Sequence, residues 1–211
     1  MPEETKTDNF LMRTWLKTIQ SIAGENGLKS ILNYAHLEEY IDNFPPDNDL
    51  LEIPVKDAQA LFHSLYELFG RKCTRSFQLR LGQEFARIGI NMRSKMAKAL
   101  QIATYLLPET KKMHLILEKV AQQGVERYTS SSCQPFIEVR EEDDWFLLIH
   151  RERFESNGIS STAPVCNVYA GMLQYFMQWI SGHPHHVEEI ECRAMGHPAD
   201  VFRILKKKED Q

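Results

Sequence analysis

Apolar positions recur at helical spacing through the first 126 residues and at strand spacing after them. Asp8 is placed to cap a helix in which Phe10, Leu11, Trp15, Leu16, Ile19 and Ile22 share a face, with Gly24 and Gly27 ending it. A second short helical stretch carries Leu28, Ile31, Leu32, Leu37, Tyr40 and Ile41 before Pro45 and Pro46 stop it. Residues 56–69 predict a third helix with Gly70 as its C-cap, and Thr74 caps a fourth built on Phe77, Leu79, Leu81, Phe85, Ala86 and Ile88. Residues 95–105 and 108–126 continue the pattern, the second starting at Pro108, a residue suited to a first turn.

The period then shortens. Ile137 to Arg140 alternate apolar with charged, Trp145 to Ile149 form an apolar run, and the acidic stretch 141–144 lies between them as a hairpin turn. Residues 165–181 return to helical spacing, with Val165, Val168, Tyr169, Met172, Leu173, Phe176 and Ile180 on one broad face. Two further strands, 186–194 and 200–207, are joined around Gly196 and Pro198. The expected fold is α+β: a helical N-terminal half packed on an antiparallel sheet of four or so strands. Residues 1–46 read as a helical extension and 47–208 as the main domain.

Composition narrows the class of protein. Of 211 residues, 43% are hydrophobic and 26% charged, enough for a proper core without staples. A net charge of −4 argues against dedicated nucleic-acid binding, and the basic run 206–208 meets Glu209 and Asp210 at once. No signal-peptide pattern and no apolar stretch of membrane-spanning length is seen, and Cys73, Cys133, Cys166 and Cys192 have no disulfide-framework spacing. A cytoplasmic protein with reduced thiols is expected.

The candidate chemistry sits near the end. Cys166, Glu189, Cys192 and Asp200 offer two thiols and two carboxylates, a donor set that suits a borderline-soft cation such as zinc. Residues three apart on a regular strand point to opposite faces, so Glu189 and Cys192 meet one ion only if the strand bulges or ends between them. The alternative is that both cysteines are small buried core residues. His183, His185 and His186 read as a solvated loop, though they could take a metal, and His197 could stand in as a nitrogen ligand beside Asp200. His114 and His150 fall on apolar patterns, where a histidine is usually a hydrogen-bonded core residue or orients a polar ligand. No glycine-rich phosphate loop, nucleophile elbow or acid–base pair is present; Ser130–Ser132 have no base partner. Binding, more than catalysis, is the expectation.

The stretches R-S-F-Q-L-R-L-G-Q-E-F-A, P-V-C-N-V-Y-A-G-M-L and E-I-E-C-R-A-M-G-H-P-A-D-V-F-R-I resemble the 4-vinyl reductase, or hydrocarbon-binding, domain, and S-I-L-N-Y-A-H-L-E-E-Y-I-D-N-F-P-P resembles the helical lead of a bacterial branch. The resemblance covers nearly the whole chain and is most specific over 164–204. It implies an α+β fold shared with trafficking-complex subunits, a homodimer, and a cavity between helices and sheet. In the family's aromatic sensors a structural zinc is held by Cys, Glu, Cys and Cys; carried over, these become Cys166, Glu189, Cys192 and Asp200, the last a departure from cysteine. A tryptophan and a histidine hold the phenolic ligand there. Trp145 resembles the first and His114 loosely the second, with Tyr169, Met172 and Phe176 completing an apolar wall. A second departure is H-R-E-R-F-E at 150–155, where that branch carries additional cysteines. The implied function is non-enzymatic sensing or carriage of a small hydrophobic or aromatic molecule, with output through a protein partner. The alternatives are an accessory role in tetrapyrrole vinyl reduction, as in bacteriochlorophyll synthesis, and a ligand-free structural adaptor.

Overall fold

The structure, a computed structural model, describes residues 5–126, 136–153 and 155–208; Ser130–Ser132, Cys133 and the acidic tail lie outside them. The element order is β1 (Lys6–Asp8), α1 (Asn9–Tyr34), β2 (Leu51–Pro54), α2 (Val55–Met92), α3 (Ser94–Thr104), α4 (Glu109–Glu126), β3 (Ile137–Glu141), β4 (Trp145–His150), α5 (Asn167–Ser181), β5 (His185–Glu191) and β6 (Asp200–Lys208). The fold is α+β. Strands β3 to β6 form one antiparallel sheet in the order β3-β4-β6-β5, and the short β1 and β2 pair separately.

Asp8 caps α1 as expected, its Oδ1 accepting from the Leu11 amide at 2.6 Å. Gly24 is where the helix kinks, with φ 75° and ψ 173°, a conformation that costs glycine least. Gly27 does not end the helix, which continues to Tyr34, and Leu37, Tyr40 and Ile41 lie beyond it, around a single 3-10 turn at Glu38–Tyr40. Gly70 and Thr74 are not caps either, because α2 runs through both without a break. The expected boundary there rests on local propensity, which long-range packing overrides. Helix α2 packs along α1 on one side and α5 on the other. Trp15 of α1 stacks on Phe85 at 3.9 Å and meets Phe62 edge-on at 4.8 Å, joining both ends of α2 to one apolar cluster.

A second cluster fills the space between α4, α5 and the inner sheet face, where Phe146, Leu148, Phe202 and Ile204 are fully buried. The two clusters share α5, which buries Val168 against the first and Leu173 and Met177 against the second. Gly82 of α2 and Gly171 of α5 set the spacing between those helices. A Cβ on Gly82 would lie 1.9 Å from the Val168 carbonyl oxygen, and one on Gly171 would lie 2.1 Å from that of Leu79. Both glycines belong to stretches that carry the family resemblance, and close backbone approach is their physical reason. Gly82→Ala and Gly171→Ala are each expected to destabilise the protein by about 3 kcal/mol in chemical denaturation. Gly89→Ala, with open space around its Cβ, serves as the control and should be neutral or gain up to ~1 kcal/mol from helix propensity.

Candidate functional site

Four elements deliver the four predicted donors. Cys166 stands at the N-cap of α5, Glu189 lies on β5, Cys192 follows the end of β5, and Asp200 opens β6. Their donor atoms lie within 4.8 Å of one another. The strand-parity difficulty is met as required: the β5–β6 register shifts between Glu189 and Glu191, and β5 ends there. A 3-10 turn, Arg193–Met195, then carries the chain to Gly196, whose φ of 94° lets it reverse toward Asp200.

The cluster is buried and its surroundings are polar. Cys166, Cys192 and Asp200 are fully buried, and Glu189 turns its carboxylate inward. The Cys166 amide donates to Glu189 Oε2 at 2.9 Å, whereas Glu189 Oε1 is buried with no hydrogen-bond partner among the described residues. Ser156 donates from its hydroxyl to Asp200 Oδ2 at 2.7 Å, and the Arg193 amide donates to Oδ1 at 2.7 Å. Each carboxylate oxygen keeps a further lone pair. Burial pushes the Cys166 thiol well up and pushes Glu189 up to about 9, the neighbouring Cys192 adding to the latter. A hydrogen bond from Cys166 pulls Cys192 down to about 6 against its own burial. Two thiols, two carboxylates and an orphaned buried oxygen fit a tetrahedral cation of zinc type. His197 is exposed and takes no part in this group. His185 is not in a solvated loop but buried at the start of β5, with Nε2 3.1 Å from Glu109 and Nδ1 3.0 Å from the Leu205 carbonyl; His183 and His186 are exposed.

The predicted ligand wall divides. A cavity of about 760 Å³ lies between the start of α1, helices α2 to α5 and strands β3 and β4, and Tyr169, Met172 and Phe176 line it. His114 and Trp145 do not. His114 sits at the sheet edge, Nδ1 2.9 Å from Glu141 and Nε2 3.5 Å from Glu118. Trp145 lies on the outer sheet face under the Arg203 guanidinium, because Phe146, Leu148 and His150 take the inner positions of β4. Trp15, Phe85 and Trp179 supply aromatic wall that the sequence pattern assigned to core. The polar contribution comes from His150 and Arg153, in the stretch that departs from the family pattern. The Glu152 amide donates to His150 Nδ1 at 3.3 Å, so Nε2 carries the hydrogen, and burial beside Arg153 and Arg193 keeps this imidazole neutral. The Arg153 guanidinium lies 4.0 Å over the Tyr169 ring and pairs with the buried Glu155.

Cavity and donor cluster are joined by one short segment. Arg153 faces the cavity, Glu155 pairs with it and accepts from the Tyr169 amide, and Ser156 holds Asp200. Ser161 adds a bond from its amide to the Ala194 carbonyl at 2.8 Å, beside Cys192.

Comparison with known proteins places this geometry. Residues 149–206, from the end of β4 through β6, match the model of the 4-vinyl reductase domain. This segment carries all four donors, His150, Arg153 and the cavity wall of α5. An H-NOX protein studied for heme distortion superposes with a TM-score of 0.61 at 15% identity, covering 97% of both chains. An H-NOX protein from S. oneidensis in the Fe(II)NO state gives 0.54 at 11% identity, over 94% of this chain and 99% of that one. The phenol-responsive sensory domain of the transcription activator PoxR, with phenol, gives 0.50 at 15% identity, over 76% and 79%. At these identities the likeness is one of fold. No curated protein matches the chain in sequence.

The metal-free cluster makes stability depend on pH. Glu189 has an ordinary value of 4.5 unfolded and about 9 folded, so the folded state keeps a proton that the unfolded chain releases. Stability is therefore lost as pH rises above 4.5, and Cys192 opposes this from about pH 6. In chelator, denaturation midpoints should fall between pH 4.5 and 6, with a slope approaching ~1.4 kcal/mol per pH unit. Glu189→Gln should flatten that slope.

Proposed function

We propose that this chain is a small-molecule-sensing or carrier domain that binds a lipophilic ligand in the helix–sheet cavity and is held in shape by a structural zinc at Cys166, Glu189, Cys192 and Asp200. The matched 4-vinyl reductase segment and the fold shared with the phenol sensor and the H-NOX proteins support a sensing domain. The observation that carries the reading is the cavity: about 760 Å³ with aromatic walls and one polar side. That lies within the ~300–1,000 Å³ range of cavities that take drug-sized molecules and far exceeds what a single-ring phenol fills. Tyr169, Met172 and Phe176 would grip the apolar body, with His150 Nε2–H and the Arg153 guanidinium as donors to one ligand oxygen. His114 and Trp145 have no part in this arrangement.

The zinc is proposed on the donor set and on the orphaned Glu189 oxygen, which a cation would satisfy. It would supply no chemistry to the ligand; it would tie the start of α5 to the β5–β6 hairpin. Asp200 keeps Ser156 in place, and Ser156 anchors the segment that presents Arg153. Metal occupancy and ligand affinity should therefore be coupled. Output would pass to a second copy of the chain or to a protein partner by favouring one arrangement over another. A tetrapyrrole sits at the large end of what the cavity admits, and visible absorbance of the purified protein would reveal one.

Fluorescence of Trp15 and Trp179, titrated with phenol, 1-naphthol and 1-hydroxypyrene, tests the reading. Affinity should rise along that series as more apolar surface is buried. Arg153→Met and His150→Phe should each weaken 1-hydroxypyrene about tenfold and pyrene little, since a hydrogen bond to a charged or buried donor is lost only by the phenol. A flat response to every probe would remove the ligand-binding proposal.

A further inference from the structure

Helix α3 is a thin wall. One face, through Met96, Ala97, Leu100 and Ala103, lines the cavity. The opposite face, continued into the turn before α4, leaves Ile102 77%, Tyr105 77% and Leu106 90% exposed. Among the described residues eleven large apolar side chains are well exposed, and five of them fall between Met96 and Leu107. A concentration of this kind marks an interaction surface rather than ordinary scatter.

The charge around the patch decides what fits it. Residues 93–112 contain five basic side chains and a single acidic one, in a chain whose net charge is −4. Arg93 pairs with Asp49, and the acidic Glu109 is engaged by His185. Lys95, Lys98, Lys111 and Lys112 form no ion pair among the described residues, and all but the half-buried Lys112 are exposed. A second copy of the chain docking by the same face would set these lysines against one another, since a two-fold contact brings a patch onto itself. Exposed apolar tips ringed by lysines instead suit a surface that is hydrocarbon beneath and anionic above.

We propose that the α3–α4 corner docks on an anionic phospholipid bilayer, with Ile102, Tyr105 and Leu106 entering the headgroup–acyl boundary and the lysines meeting lipid phosphates. No helix among the described residues is long and apolar enough to cross a membrane, so the contact is interfacial. The acidic remainder of the chain turns away from an anionic surface and points this corner toward it. Docked in this way, α3 is all that separates the bilayer from the apolar cavity. A lipophilic ligand would thus be taken from, or returned to, the membrane. The docking itself does not rest on the ligand-binding proposal, which vesicle-free titration reads separately.

The test is co-sedimentation of the full chain with vesicles of phosphatidylcholine alone and of phosphatidylcholine mixed with phosphatidylglycerol. Binding is expected to the mixed vesicles and to weaken as salt is raised. The paired substitutions Lys95→Glu with Lys98→Glu, and Ile102→Ser with Leu106→Ser, should each reduce partition about tenfold or more with unchanged circular dichroism. Absence of binding to the mixed vesicles, or equal binding by the variants, would overturn the proposal. So would a dimer in sedimentation velocity that Ile102→Ser with Leu106→Ser dissolves, which would assign the face to a second copy.

Discussion

Four acidic groups buried within 4.8 Å of one another are the constraint around which the C-terminal half is arranged. Such a set is unfavourable unless it keeps its protons or gains a cation, and burial drives Cys166 and Glu189 to keep theirs. The backbone has been bent to make the cluster. The β5–β6 pairing slips beside Glu189, a 3-10 turn follows Cys192, and Gly196 takes a left-handed conformation to return Asp200. An ordinary hairpin would need none of these. They make sense together as the means by which two strands and the first turn of α5 converge on one point.

From that point the consequences run inward. Cys166 fixes where α5 begins, and α5 is the element shared by both apolar clusters. Its depth against α2 is set by Gly82 and Gly171. Its face toward the sheet gives the cavity Tyr169, Met172 and Phe176. The segment after β4 runs from the cavity to the cluster through Arg153, Glu155 and Ser156, all buried. A buried ion pair of this kind adds little net stability but punishes removal of either partner, which suits a strut that must hold one geometry.

Much of this was legible in the residues. The change from helical to strand period located the boundary between the layers, and the Asp8 cap and acidic hairpin turn were local signals with local causes. The donor set was legible because chemistry, not geometry, selects two thiols and two carboxylates. What local signals could not supply was decided by packing. Gly70 and Thr74 look like helix boundaries, yet α2 crosses them between two partner helices. Strands β1 and β2 are three and four residues long, too short to show a period. In β4 every position from Trp145 to Ile149 is apolar, so parity could not say which side faces the helices, and Trp145 fell on the outer one. His114 and His150 looked alike in sequence, and only the fold separates an edge histidine from a cavity histidine.

The central claim is that clasp and cavity form one thermodynamic unit, joined through Ser156 and Arg153. It is tested most directly by titrating zinc into metal-free protein with and without saturating 1-hydroxypyrene. The account predicts tighter zinc binding in the presence of the aromatic molecule, with the difference abolished in Ser156→Ala. Equal zinc affinity under both conditions, or no zinc binding at all, would contradict it.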